Sequence, residues 1–185
     1  MVKKTNQTAP EFSFPVDIAS LPQDGVRHVL EPNEKERAAI AKRLELQALP
    51  RLTVEIDVTP SRGKGALLRG RLEADVVQTC VVSLDAVPAQ VSDRFEVRFL
   101  PAELIEDVLP GEDLELSSEE DAPEPLGGPN GTSFDAGEVA VQYLSLALDP
   151  YPRLPDAVIP EEAVSEGEPS PFAVLKALKT DGKPQ

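Results

Sequence analysis

Hydrophobic and polar residues alternate with a period of two along three stretches of the first hundred residues. Leu52, Val54, Ile56 and Val58 fall on one side of an extended chain. Leu68, Leu72, Ala74 and Val76 do the same in a second stretch, and Val91, Phe95, Val97 and Phe99 in a third. Such alternation puts every second side chain on one face of a sheet. Arg62-Gly63-Lys64-Gly65 reads as a hairpin loop between the first two stretches, and Pro88 separates the second from the third. An antiparallel meander is the expected topology. Glu11 to Ile18 also alternates, although Pro15, lacking an N–H, confines that strand to an edge.

Two stretches carry helical periodicity instead. Asn33-Glu34-Lys35-Glu36 fits a capping box, and behind it Ala38, Ile40, Ala41, Leu44 and Ala48 recur at helical spacing up to Pro50. Asp135-Ala136-Gly137-Glu138 repeats the capping pattern. Val139, Tyr143 and Leu146, with Ala140, Leu144 and Leu148, continue a second helix that Pro150 and Pro152 stop. Between these regions, after Pro101, the pattern dissolves into an acidic tract that ends in the turn cluster Gly127-Gly128-Pro129-Asn130-Gly131. The expected fold class is α+β: an antiparallel sheet of about four to six strands with the two helices packed on its apolar face.

The expected organisation has three parts. Residues 1–10 form a flexible N-terminus, and residues 11–155 a single α+β domain with a flexible acidic tract at about 103–132. Residues 156–185 form an acidic linker that leads to a short apolar helix, Phe172 to Leu178, which needs something to dock on.

Charge changes the picture more than composition does. The chain of 185 residues carries a net charge of −15, yet residues 1–100 hold 14 basic and 14 acidic residues. The whole excess lies beyond them, with ten acidic residues and no Lys or Arg between Glu103 and Glu124. A net-acidic chain is repelled by phosphates unless a local basic surface overrides the global field. No apolar run reaches the roughly 18–20 residues of a membrane span, and the start, Met1 to Gln7, lacks the apolar stretch of a secretory signal. One cysteine, Cys80, fits a reducing compartment. These features predict a cytoplasmic protein with no membrane partner.

Catalytic candidates are sparse. His28 is the only histidine and reads as an exposed loop residue, so a nucleophilic triad has one possible base. A zinc site wants four Cys and His ligands, which the chain cannot supply. Gly63-Lys64-Gly65 lacks the remaining residues of a phosphate loop, and the acidic tract lacks the spacing of a calcium loop. Asp135 with Glu138 fits helix capping better than a carboxylate pair. The expectation is therefore a non-enzymatic protein with no metal, no cofactor and no small-molecule substrate.

The outward face of the sheet offers the main polar surface. It carries Glu55 and Asp57, then Arg69, Arg71, Glu73 and Asp75, then Arg94, Glu96 and Arg98. On one reading these are cross-strand ion pairs on a solvated face, each stabilising by about 0.2–1 kcal/mol. On the other, Arg69, Arg71, Arg94 and Arg98 join Arg62 and Lys64 in a basic patch for phosphates.

Two stretches go beyond generic chemistry. Val77 to Pro88, which contains Cys80, leads into the third strand. Phe134 to Arg153 combines an Asp-x-Gly-Glu start with a Leu-Ala-Leu-Asp-Pro-Tyr-Pro-Arg exit. Together they resemble the bacterial YceD family, named for accumulation of large ribosomal RNA. In that family a strand ends at a cysteine, an acidic spacer follows, and a helix opening Asp-Leu-Gly-Glu runs into a proline-rich exit. The resemblance extends from about Leu52 onward, and Ser170 to Leu175 is similar to the tail of one branch. The matching positions are Cys80, Asp135, Gly137, Glu138, Pro150 and Pro152. Here Ser83 stands where many members have a second cysteine, Ala136 replaces the Leu, and Gln142 a mid-helix Glu.

The resemblance implies a non-enzymatic ribosome-biogenesis role in the synthesis, processing or stability of 23S rRNA. Its expected partner is a large-subunit precursor, contacted through rRNA or through basic ribosomal proteins for which the acidic tract could mimic RNA charge. The alternative is an acidic protein-binding adaptor unrelated to ribosomes.

Overall fold

The computed structural model describes residues 10–61, 64–108 and 122–158. The expected flexible N-terminus (all but residue 10), the Phe172–Leu178 element, most of the C-terminal linker, Arg62, and residues 109–121 of the acidic tract lie outside them.

A five-stranded sheet forms the body, in the order β2–β3–β4–β5–β6. Its strands are β2 (Val26–Leu30), β3 (Ala48–Ser61), β4 (Gly65–Thr79), β5 (Ala86–Leu100) and β6 (Glu124–Pro125). All neighbours are antiparallel except β5 and the short β6, which run parallel. The fold class is α+β, as the periodicity predicts, and β3, β4 and β5 form the expected meander. Leu52, Val54, Ile56, Val58, Leu68, Leu72, Ala74, Val76, Phe95, Val97 and Phe99 are all buried. They share one cluster with Ile40 of helix α1 (Glu34–Arg43) and with Ala140 and Leu144 of helix α3 (Ala136–Ala147), so both helices cover the same apolar face.

A two-stranded sheet pairs β1 (Pro15–Asp17) with β7 (Ser133–Asp135), and so ties the N-terminal segment to the start of α3. Pro15 sits on an edge, as a residue without an N–H must. Gly137 makes this crossing possible: a Cβ there would lie 2.8 Å from the Phe12 carbonyl oxygen and 2.9 Å from the Phe14 nitrogen.

Several expectations need correction. The first helix stops at Arg43, not at Pro50. Glu45 adopts a left-handed φ of 55°, and Ala48 already belongs to β3, where Pro50 sits at a register shift between Ala48 and Arg51. Pro88 does not separate strands but lies within β5, opposite Val77. The Val77 carbonyl accepts from the Gln47 N–H on its other side, so this pair exchanges no ladder bonds and the missing N–H faces the open edge. His28 is not in a loop: it lies on edge strand β2 with its ring 5.0 Å from that of Phe14. The tract after Pro101 is also more structured than expected. Helix α2 (Ala102–Val108) opens it, and β6 and the glycine turn, with positive φ at Gly128 and Gly131, close it.

Candidate binding surface

The strand register sorts the charged residues onto the outer face of the sheet in rows. Arg27, Asp57, Arg69 and Glu96 stand side by side across four strands with alternating sign. Arg27 bonds Asp57 at 2.7 Å and Arg69 bonds Glu96 at 2.7 Å. Arg51 bonds Asp75 at 2.9 Å, which raises the guanidinium's affinity for its proton and holds the carboxyl below its usual range. These pairs are solvent-screened and add little to stability.

One row breaks the alternation. Val29, Glu55, Arg71 and Arg94 are neighbours, so two arginines face each other across β4 and β5. Like charges directly opposite are unfavourable. The Arg71 guanidinium turns along its own strand to Glu73, at 2.8 Å, while Arg94 makes no ion pair among the described residues. Arg98, opposite Leu67, makes none either. Both are exposed, and Arg94 lines a shallow hollow of about 260 Å³ together with Arg27, Arg69, Arg71 and the carboxylates Glu55 and Asp57. The face therefore combines the two readings of the sequence. Arg69 and Arg71 are committed to carboxylates, whereas Arg94 and Arg98 leave a positive corner. Lys64 is exposed at the end of the β3–β4 hairpin, with φ of 62°.

The positions shared with the YceD pattern gather at the two ends of α3. At its start, Asp135 accepts from the N–H groups of Gly137 and Glu138, at 2.9 and 3.1 Å, capping the helix. It also accepts from the Phe14 N–H at 2.8 Å and from the Ser13 hydroxyl. Glu138 does not close the capping box expected of it. It instead takes a bidentate bond from Arg43, at 2.7 and 2.8 Å, and Arg43 also reaches Glu11. The pairing holds the Glu138 carboxyl below its usual range and raises Arg43's hold on its proton. This clamp joins the end of α1 to the first turn of α3.

At the other end, the Val81 N–H donates to the Pro152 carbonyl at 2.9 Å, and the Gln78 amide donates to the Asp149 carbonyl at 2.8 Å. The cysteine stretch and the proline exit, about seventy residues apart in the chain, thus pack together. Pro152 is buried and Pro150 exposed. Cys80 is fully buried just past β4. Its sulfur is hydrogen-bonded by the Ser83 hydroxyl and by backbone N–H groups, Ser83's at 3.4 Å, which draws the thiol down to about 6 against the opposing effect of burial.

A second concave feature escaped the sequence reading. A cleft of about 570 Å³ lies between α3 and the β5–β6 edge of the sheet. No residue spacing signals it, because its walls come from five separate elements, β1, β5, β6, β7 and α3. Among the described residues no helix is long and apolar enough to cross a membrane.

The chain matches no family model, no curated protein and no solved structure.

Proposed function

We propose that this protein is a non-enzymatic ribosome-biogenesis factor that supports 23S rRNA through contact with a large-subunit precursor, working in the cytoplasm. The resemblance of the Val77–Pro88 and Phe134–Arg153 stretches to the YceD family motivates the ribosomal assignment. The observation that carries the mode of contact is the positive corner of the sheet. Arg94 and Arg98 project from an uncovered face without a carboxylate among the described residues to neutralise them, so phosphate groups are the ligand they fit. The acidic remainder of the chain keeps this attraction local, and such contact weakens with salt.

The test is co-sedimentation of the full chain with large-subunit precursors at low salt, beside 23S rRNA levels in cells lacking the protein. Association and a fall in mature 23S rRNA are expected, with Arg94→Glu/Arg98→Glu weakening RNA affinity by about ten-fold or more. Arg69→Ala and Arg71→Ala should matter less, since their guanidiniums already serve Glu96 and Glu73. Normal 23S rRNA and a protein that stays at the top of the gradient would refute the assignment. A discrete non-ribosomal partner in its place would favour the acidic-adaptor alternative.

A further inference from the structure

The cleft beside α3 is remote in chemistry from the arginine face. Val97, Phe99, Phe134, Tyr143 and Leu146 supply its apolar wall, and Phe99 stacks on Phe134 with ring centroids 4.1 Å apart. Its carboxylates are Glu124, Asp135 and Glu138, and no Lys or Arg among the described residues lines it. Asp135 is occupied by the α3 cap, and Glu138 by Arg43. Glu124 forms no ion pair among the described residues and is exposed at the rim.

Two further features point the same way. Leu146 is 77 % exposed, although it lies beside a wall of aromatic rings. It belongs to the last turn of α3, which contains no basic residue. The C-terminal end of a helix carries partial negative charge and attracts cations. The cleft therefore combines an apolar wall with an unpaired carboxylate, and Leu146 in its lining belongs to a helix turn that carries no compensating base. That combination repels phosphate and suits a side chain that is apolar beside one that is positive.

We propose that this cleft docks a cationic segment of another protein, one that inserts a large apolar side chain against Tyr143 and Leu146 and sets Lys or Arg beside Glu124. A volume near 570 Å³ accommodates one or two such side chains rather than a folded surface. The recognition mode is an apolar anchor flanked by charge. It stands on the cleft alone and does not depend on what the arginine face binds.

The experiment is fluorescence anisotropy of the full chain with a labelled synthetic peptide of Lys and Arg around a central Phe-Leu pair. A second peptide has Ala-Ala in place of that pair, and a single-stranded RNA of similar length serves as the third probe. Both variants used, Glu124→Lys and Leu146→Ser, alter exposed side chains, and unchanged thermal melting verifies their folding. The anchored peptide is expected to bind about ten-fold more tightly than the Ala-Ala peptide. Leu146→Ser should weaken it by about five-fold, and Glu124→Lys by about ten-fold. Equal binding of the two peptides, or indifference to both variants, would mean that net charge alone attracts them and would overturn the proposal. Loss of RNA binding rather than peptide binding in Leu146→Ser would overturn it as well.

Discussion

Gly70 lies at the centre of β4, beneath the ring of Phe95 on β5, to which it is paired in register. A Cβ at position 70 would lie 2.0 Å from Phe95 Cζ, and 2.4 and 2.5 Å from the two Cε atoms. Carbon atoms in contact prefer about 3.5–4.0 Å, so Gly70→Ala must push the ring away by roughly 1.5 Å or more. Phe95 has little room to yield, being only 6 % exposed and stacked on Tyr143 with centroids 4.4 Å apart. Overpacking of this kind costs about 1–3 kcal/mol, and losing the aromatic stack adds about 0.5–1.5 kcal/mol. Restricting the unfolded chain returns about 0.4–1 kcal/mol. The expected net loss is about 2–3 kcal/mol, read as a lower urea midpoint at unchanged slope. With no Trp in the chain, tyrosine fluorescence, to which Tyr143 and Tyr151 contribute, follows unfolding alongside far-UV circular dichroism. Repeating the substitution in a Phe95→Leu background should recover more than about 1 kcal/mol of coupling, because the ring that blocks the new methyl is gone. Equal destabilisation in both backgrounds, or a loss within about 0.5 kcal/mol in the first, refutes the steric reasoning.

Other outcomes follow from the two ends of α3. Asp135→Ala removes the acceptor of two cap N–H groups, of the Phe14 N–H and of the Ser13 hydroxyl, and should cost about 1–3 kcal/mol in urea unfolding. Glu138 has a depressed pKa in the folded chain, so its stabilisation is complete above the ordinary carboxylate value and is lost as pH falls through the depressed one. The stability gap between the native chain and Glu138→Gln should therefore be constant at neutral pH and close below about pH 4; a gap that persists at lower pH would contradict the Arg43 clamp. For Cys80, drawn down to about 6, the sign is the same: its stabilising share is fully present above the free-thiol value and lost as pH falls through 6. Between pH 6 and 9 the native chain should gain stability relative to Cys80→Ala, and Ser83→Ala, lacking the hydroxyl that binds the sulfur, should flatten that slope.

The meander was legible because β3, β4 and β5 each keep one face apolar for several residues, and a period of two sustained that long fits a strand and no helix. β2 was hidden for the opposite reason. Val26, His28 and Leu30 face inward, but a polar His28 in the middle leaves no clean alternation, and an edge strand needs none. The overrun of α1 has a local cause. Ala48 falls on the helical spacing by coincidence, while the helix ends at backbone geometry, the left-handed Glu45, which no hydrophobic pattern reports. Pro88 misled because proline in a strand is forbidden only where its nitrogen faces a neighbour. Which way a nitrogen faces is a property of the sheet and not of the sequence.

For the candidate site the same logic separates what pattern can reveal from what it cannot. The sequence places Arg69, Arg71, Arg94 and Arg98 on one face, and the register puts them there. It cannot say which of them is free. That depends on the pairing register: Arg69 meets Glu96 directly, whereas Arg71, one row and two residues away, meets Arg94. Four residues along β5, Arg98 meets Leu67. A shift of one residue between β4 and β5 would send one strand's inward residues to the outer face and dissolve the positive corner. The hydrophobic packing of Leu68, Val97 and Phe99, which fixes that register, therefore also decides which arginines remain available to a ligand. Core and surface are set by the same alignment, and the binding corner is a consequence of how the core packs.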